Sequence, residues 1–500
     1  LKFDIAYIAP EIILALGGMI VLAIGLTSRE RTSSERVGLI SPETLTIATL
    51  VAALVPTIWL FFEIGKGKWQ FGGIFAVDGL ALFFKIIALV STAIVALMSV
   101  DFFQKTPFHR SEYCALLIFS ALAISAVAAS SDFIMIYLAL EFLSIVSYVL
   151  AGYLKRDTGS SEGSLKYFLY GSVAAGIMVY GMSMIYGLTG TTNLTSIGDK
   201  LLPLEGQRSS YYGLLLLSTV MILVGLGFKI AMVPFHQWAP DTYEGAPTPI
   251  TAYLSVGSKA AGFAVLVRLF ATCIPPTHVN WLPIIIVLSA LTMTVGNLIA
   301  IVQVNIKRML AYSSIAQAGY ILIGVAAMAY KTSYEYAMPA VLLYIFIYLF
   351  MNLGAFAVVS MLSVRLQSND IEDYAGLIRR APVASVALTI FLLSLAGIPP
   401  TAGLLAKWYL FMAALKSEST ALLWLTIVAI ANTVVSVYYY MNVARMMFFV
   451  KPKDTGVLQM SHPLNMALIL TLVMTLGILI YPPPFLALAH TSAHILGIQP

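Results

Sequence analysis

Apolar runs of about twenty residues, broken by short polar or Pro/Gly-rich interruptions, recur along the whole chain. A membrane-crossing helix needs about 20 mostly apolar residues, whereas a membrane strand shows only about ten alternating ones. The pattern therefore predicts helices. About fourteen spans result, with approximate limits 5–26, 43–63, 77–99, 112–130, 131–154, 164–189, 211–240, 249–274, 280–303, 306–329, 334–364, 383–414, 420–449 and 464–488. The shortest gap, Ser130-Ser131-Asp132, divides the fourth span from the fifth. The run from Ile5 to Leu26 is too long for a signal-peptide core and has no good cleavage site, so it reads as the first span. The expected class is all-α and polytopic, with no room between spans for an independent soluble domain.

Two spans contain breaks. The seventh reads Gly225-Leu-Gly-Phe-Lys-Ile-Ala-Met-Val-Pro234, and the twelfth reads Ala396-Gly-Ile-Pro-Pro400-Thr-Ala-Gly403. Proline frees backbone carbonyls inside a membrane helix, which is tolerated only where protein or cavity water satisfies them. Interrupted spans at corresponding positions of two halves are a mark of inverted-repeat transporters. The expected organisation is an N-terminal three-helix segment (1–110), two inverted five-helix repeats (111–275 and 276–450, spans four to eight and nine to thirteen) and a C-terminal helix (451–500).

Composition sharpens the class. Of 500 residues, 60% are hydrophobic and 10% charged, with mean hydropathy +0.92. Soluble domains average about 25% charged residues, which excludes a soluble fold. The net charge of +5 is small and dispersed, and argues against a nucleic-acid partner. Cys114 and Cys273 fall near opposite membrane faces, too far apart to bridge. No histidine spacing suits a metal and no glycine-rich loop suits a nucleotide. Loops after odd-numbered spans carry roughly 16 Lys+Arg, including Arg29, Arg31, Arg36, Lys155, Arg156, Arg379 and Arg380, against roughly 8 on the other side. The positive-inside rule then puts both termini outside the cytoplasm.

The remaining charges lie inside spans, where an ionisable group costs about 2.5–3.5 kcal/mol at the helix centre. Glu141 stands nine residues past Asp132, about 14 Å into the membrane at 1.5 Å per residue. Lys259, ten residues past Pro249, and Lys229, eleven before Pro240, reach comparable depth, so a lateral row across neighbouring helices is possible. Glu141 and Lys229 are expected to form an ion pair, either a coupling element or a static bridge. Lysine suits proton transfer because, unlike arginine, it can release its proton. Lys407 lies near the end of its span and reads equally as a row member or a snorkelling residue. Lys85 reads as snorkelling or locally paired, and Lys166 by position as an interfacial anchor. Asp241 and Glu244 are expected to cap helix ends. Tyr438-Tyr439-Tyr440 and Arg445 read as interfacial decoration.

At these residues the chain resembles a known family. Gly227-Phe-Lys-Ile-Ala-Met-Val-Pro-Phe-His-Gln-Trp-Ala-Pro-Asp-Thr-Tyr-Glu-Gly-Ala-Pro-Thr-Pro249, Lys307-Arg-Met-Leu-Ala-Tyr-Ser-Ser-Ile315 and Ala396-Gly-Ile-Pro-Pro400 are similar to signatures of the antiporter-like membrane subunits of respiratory complex I. The likeness runs over most of the chain and is weakest before about residue 110 and after about residue 450. The Pro-Asp-x-Tyr-x-Gly-Ala-Pro-Thr-Pro form and a lysine at 407 resemble its N-type branch, called subunit 2 in plastid, cyanobacterial and mitochondrial versions. By resemblance, Glu141 and Lys229 match a coupling pair, Lys259 a central lysine, Lys407 an exit-side lysine and Lys166 an auxiliary lysine of the sixth helix. The resemblance implies proton translocation driven by electron transfer to quinone in partner subunits, with NADH or ferredoxin as donor. Flavin, iron–sulfur clusters and quinone are expected in those partners and none in this chain.

The implied partners are other membrane-arm subunits, further antiporter-like subunits among them, and the lipid bilayer. The implied location is an energy-transducing membrane: the bacterial plasma membrane, with the thylakoid as the alternative. A subunit of a multisubunit cation/proton antiporter driven by an ion gradient is the competing function. A scaffold with purely structural charges is the third reading.

Overall fold

The computed structural model describes residues 4–27, 41–63, 67–103, 109–201, 211–452, 454 and 456–496. Arg29, Arg31 and Arg36, which weigh in the orientation argument, lie outside them. Among the described residues thirteen helices are long and apolar enough to cross a membrane. They are α1 (Ile5–Leu26), α2 (Pro42–Glu63), α3 (Gly79–Phe102), α4 (Arg110–Ala129), α5 (Phe133–Ala151), α6 (Thr158–Thr189), α7 (Tyr212–Ile230), α8 (Thr248–Cys273), α9 (Leu282–Ile301), α10 (Ile306–Ala327), α11 (Lys331–Leu366), and, beyond the twelfth span, α14 (Thr420–Phe449) and α15 (His462–Ile480). The twelfth span is two half-helices, α12 (Pro382–Ala396) and α13 (Ala402–Lys416). A polytopic all-α membrane fold is the result, as the apolar pattern requires. Among the described residues the strands form a short hairpin before α3, β1 (Lys68–Gln70) antiparallel to β2 (Phe75–Val77), with Trp69 opposite Ala76.

Local chemistry explains the boundaries. Asp132 caps α5 by accepting from the Ile134 amide, which is why three residues suffice to separate α4 from α5. Asn305 caps α10 the same way, accepting from Lys307 and Arg308, as N-terminal Asn and Asp do. The expected C-terminal span to about residue 488 is shorter. α15 stops at Ile480 and a separate short helix, Pro483–Ser492, follows the proline run, because proline cannot continue the amide ladder.

α8, α10 and α11 form the buried centre, whereas α1, α2 and α6 leave apolar side chains such as Leu16, Val55 and Val173 exposed for lipid or a neighbour. Both expected breaks are present. α7 ends at Ile230, where Ala231 takes a left-handed conformation (φ +56°), and a short helix resumes at Trp238–Gly245. α12 ends at Gly397, also left-handed (φ +79°), before α13. A side chain at 397 would start 2.9 Å from the Lys407 side chain, so glycine is the residue that fits. Each break also holds a cis X–Pro bond, Val233–Pro234 and Pro399–Pro400. α8 contains a widened π turn, Leu254–Ser258, directly before Lys259.

Candidate functional site

Lys229, Lys259 and Lys407 are 5%, 4% and 2% exposed. Each stands beside an irregularity: Lys229 in the last turn of α7, Lys259 just past the π turn of α8, and Lys407 opposite the gap between α12 and α13. Irregular backbone at membrane depth needs protein or a polar cavity around it, and inserted turns of this kind recur at functional sites.

None of the three is in contact with a carboxylate among the described residues. The Lys229 ammonium donates to the Ser144 hydroxyl at 2.7 Å and lies 5.9 Å from the Tyr167 ring centre. Lys259 donates to the carbonyl and hydroxyl of Ser314, at 2.7 and 2.8 Å. Lys407 donates to the Ala396 carbonyl at 2.9 Å and approaches the Thr433 hydroxyl at 3.4 Å. It also lies 4.4 Å over the Tyr320 ring. Such neutral acceptors hold an ammonium in place without neutralising it. A lysine so placed can exchange its proton with hydroxyls or water at modest cost, which an ammonium locked to a carboxylate cannot.

The expected direct Glu141–Lys229 ion pair is therefore not closed. Ser144, one helical turn along α5 from Glu141, takes the lysine's hydrogen bond instead, because the half-buried Glu141 shares its helix face with exposed Leu138 and Ile145. Lys407 is too buried to snorkel, which removes that alternative. Lys85 is buried too and pairs with Glu11 of α1 at 2.7 Å, so it is paired across helices rather than snorkelling.

Lys166 lies outside the buried row. It is 38% exposed and binds Glu162 at 2.6 Å and Asp241 at 2.7 Å. Asp241 also accepts from Arg308, which reaches Glu244 as well. Asp241 and Glu244 thus tie α6, the short helix after the first break, and α10 together, rather than capping helix ends. Burial pushes the Asp241 carboxyl up, but Lys166 and Arg308 outweigh it and hold it below the usual carboxylate range.

Sequence reasoning missed two features. Lys307, at the start of the 306–329 span and given no role of its own by the sequence, is buried and donates to the carbonyls of Glu244 and Ala246, both at 2.7 Å. It forms part of the wall of a cleft of about 660 Å³ that Asp157, Glu162, Asp241 and Glu244 also line. Its place two residues after the capping Asn305 hid it. Tyr439 and Tyr440 are buried, and only Tyr438 of that run, 64% exposed, faces outward. Consecutive tyrosines on a helix cannot all share one face, and that signal was available. Among the described residues no group of three His, Cys, Asp or Glu side chains is placed to hold a metal.

A polytopic helical fold with two broken spans and buried, carboxylate-free lysines defines the class of antiporter-like ion-translocating subunits. The family model described as NADH:quinone oxidoreductase/Mrp antiporter, TM, matches residues 130–433. The chain is 40% identical over 493 residues to NADH-quinone oxidoreductase subunit N of Desulforamulus reducens, covering 99% of each. It resembles a chain of respiratory complex I from Thermus thermophilus with bound aureothin at TM-score 0.77 and 29% identity, over 96% of this chain and 98% of that one. A chain of the Mrp complex from a Dietzia species matches at TM-score 0.82 over 98% and 97%, but at 19% identity the likeness is of fold alone. The chain belongs to this family, and within it to the subunit N group.

Proposed function

We propose that this chain is a proton-translocating membrane-arm subunit of a complex I-type oxidoreductase, moving protons along Glu141, Lys229, Lys259 and Lys407. Quinone reduction in partner subunits drives the movement, with NAD(P)H or ferredoxin as donor. The observation that carries this reading is that Lys229, Lys259 and Lys407 are buried yet rest on neutral oxygens. A buried ammonium without a counter-charge is costly to keep for structure alone.

Glu141, a helical turn from the Ser144 that holds Lys229, sets the charge on that lysine across space rather than by contact. The proton passes from Lys229 to Lys259, and Lys407 releases it. Lys166, held by Asp241, acts as an auxiliary group beside the first break. The two breaks mark two inverted five-helix repeats, 111–275 and 276–450, flanked by the three-helix segment 1–110 and the helix of 451–500. Flavin, iron–sulfur clusters and quinone belong to partner subunits, other antiporter-like subunits adjoin this one, and both termini face away from the cytoplasm of a bacterial plasma membrane. The ion-gradient antiporter reading is weaker, because identity is 40% to the oxidoreductase subunit and 19% to the Mrp chain.

The test is proton uptake by vesicles carrying the assembled complex. Lys259→Arg keeps the charge but cannot release a proton, so it should pump almost as poorly as Lys259→Ala. Full pumping by Lys259→Arg would show that Lys259 is only a fixed charge.

A further inference from the structure

Between Lys259 and Lys407 the charged side chains run out, and polar neutral ones take their place. α10 carries Ser313, Ser314, Gln317 and Tyr320, all buried, at the three- and four-residue spacing that puts them along one side of a helix. The stripe is bounded. Met309 to Ala311 and the partly buried Tyr312 precede it, and Ile321 to Ala327 follow it without a polar side chain. It starts where Lys259 binds Ser314 and stops where Lys407 lies over Tyr320. Six residues separate these contacts, about 9 Å of helix rise.

α14 supplies the facing half. The Tyr440 hydroxyl is hydrogen-bonded to Ser313 and accepts from the Gln317 amide at 3.4 Å. Gln317 is anchored on both sides, donating to the Leu395 carbonyl at 2.9 Å and accepting from the Tyr344 hydroxyl. The Tyr439 ring packs 4.3 Å from that of Tyr440, and its hydroxyl donates to Asn297, whose amide reaches Tyr320 at 3.5 Å. Thr433 joins Tyr320 at 3.3 Å to Lys407 at 3.4 Å. Burying this many polar groups is worthwhile only if every member is satisfied, and here they are, in two hydrogen-bonded groups: Ser313, Tyr440 and Gln317 beside the Lys259 contact, and Tyr439, Asn297, Tyr320 and Thr433 leading to Lys407.

We propose that the hydroxyls of Tyr440, Tyr320 and Thr433 are a neutral proton relay between the Lys259 side and Lys407, with Gln317 a positioning residue that holds Tyr440 in line. The proposal rests on the proton-row reading above. Tyr320, Thr433 and Lys407 pass the proton along their own contacts, and water carries it across the two gaps, from Ser314 to Tyr440 and from Tyr440 to Tyr320. Each hydroxyl and each water accepts a proton on its oxygen while its own proton leaves to the next acceptor. The last O–H bond to break is that of Thr433, and the bond formed is N–H on a neutral Lys407 amine. One proton enters and one leaves, no hydroxyl keeps a charge, and rotation of the O–H groups resets the chain.

The experiment uses vesicles carrying the intact complex, with proton uptake measured in H2O and D2O. Tyr440→Phe should lower this subunit's share of uptake at least about a hundredfold, the smaller end of what a lost proton-transfer group costs. The remaining uptake should show a larger solvent isotope effect, which a packing defect would not produce. Combining it with Lys407→Ala should cause no further loss, since both lie on one path. Exposed Tyr438→Phe is the control and should change nothing. If Tyr440→Phe does not assemble, Thr433→Val against Thr433→Ser decides: loss in the first with recovery in the second supports the relay, and equal uptake in both overturns it. Normal uptake and isotope effect in Tyr440→Phe, with uptake lost in Lys407→Ala, overturns the relay and leaves the row standing. Normal uptake in both Lys259→Ala and Lys407→Ala overturns both.

Discussion

Two carboxylate oxygens of Asp78 face the Arg268 guanidinium of α8 at 2.8 Å each, and the Ala128 carbonyl adds a third contact at 3.0 Å. Asp78 also accepts the backbone amides of Ala81 and Leu496. Lys259, nine residues earlier on the same helix and equally buried, has one serine. At Arg268 the buried charge meets a counter-charge, although its Nε has no hydrogen-bond partner, whereas Lys259 meets no counter-charge among the described residues. Lys85 with Glu11 follows the first pattern, and Lys229 and Lys407 the second. Arginine, which keeps its proton, has the counter-charge, while the row lysines, which can exchange theirs, do without one. On the proposed reading, the contrast separates cations that fix helices from cations that carry protons.

The sharpest way to break this contrast is to exchange the behaviours. Asp78→Ala leaves a buried guanidinium unpaired and should cost about 3–5 kcal/mol, read as loss of assembled complex from the membrane, with normal pumping by whatever assembles. Lys407→Met removes a cation that has no carboxylate to orphan. It should assemble normally, with thermal stability within about 1–2 kcal/mol of the parent, and lose pumping. If Lys407→Met fails to assemble while Asp78→Ala is tolerated, the two classes have been assigned the wrong way round. Glu141→Gln should assemble and lose most pumping and coupled electron transfer, although its partner is a turn away rather than in contact.

The smallest effect concerns Asp241. Its carboxyl is held below the usual value of 3.8, so its share of stability is complete above the unfolded-state value and is lost only as pH falls through the lower folded one. Asp241→Asn should therefore differ from the parent by a constant margin from about pH 5 to 8, and the gap should close below about pH 4. Melting curves over that range test it.

The helices were readable because lipid imposes one rule on every span: a long apolar run with the backbone satisfied internally. The limits 5–26 and 420–449 coincide with helix ends. The two breaks were readable because glycine and proline act locally. The depths of Lys229, Lys259 and Lys407 followed from counting residues, but their partners did not. Ser144 rather than Glu141 meets Lys229 because of how α5 is rotated against α7, and rotation depends on packing between helices. Tyr440 was misread for the same reason: tyrosines near a span end serve an interface or a core according to which way the helix turns.

The Ala396 carbonyl that receives Lys407 belongs to the last turn of a half-helix, and Lys229 likewise stands in the last turn of α7. Aligned peptide dipoles leave roughly half a negative elementary charge at such an end. Part of the counter-ion for Lys407 is thus main chain, which no codon specifies. A scan of side-chain substitutions would pass over it, and only a change that lengthens or reconnects the broken helices, such as filling Gly397, would remove it.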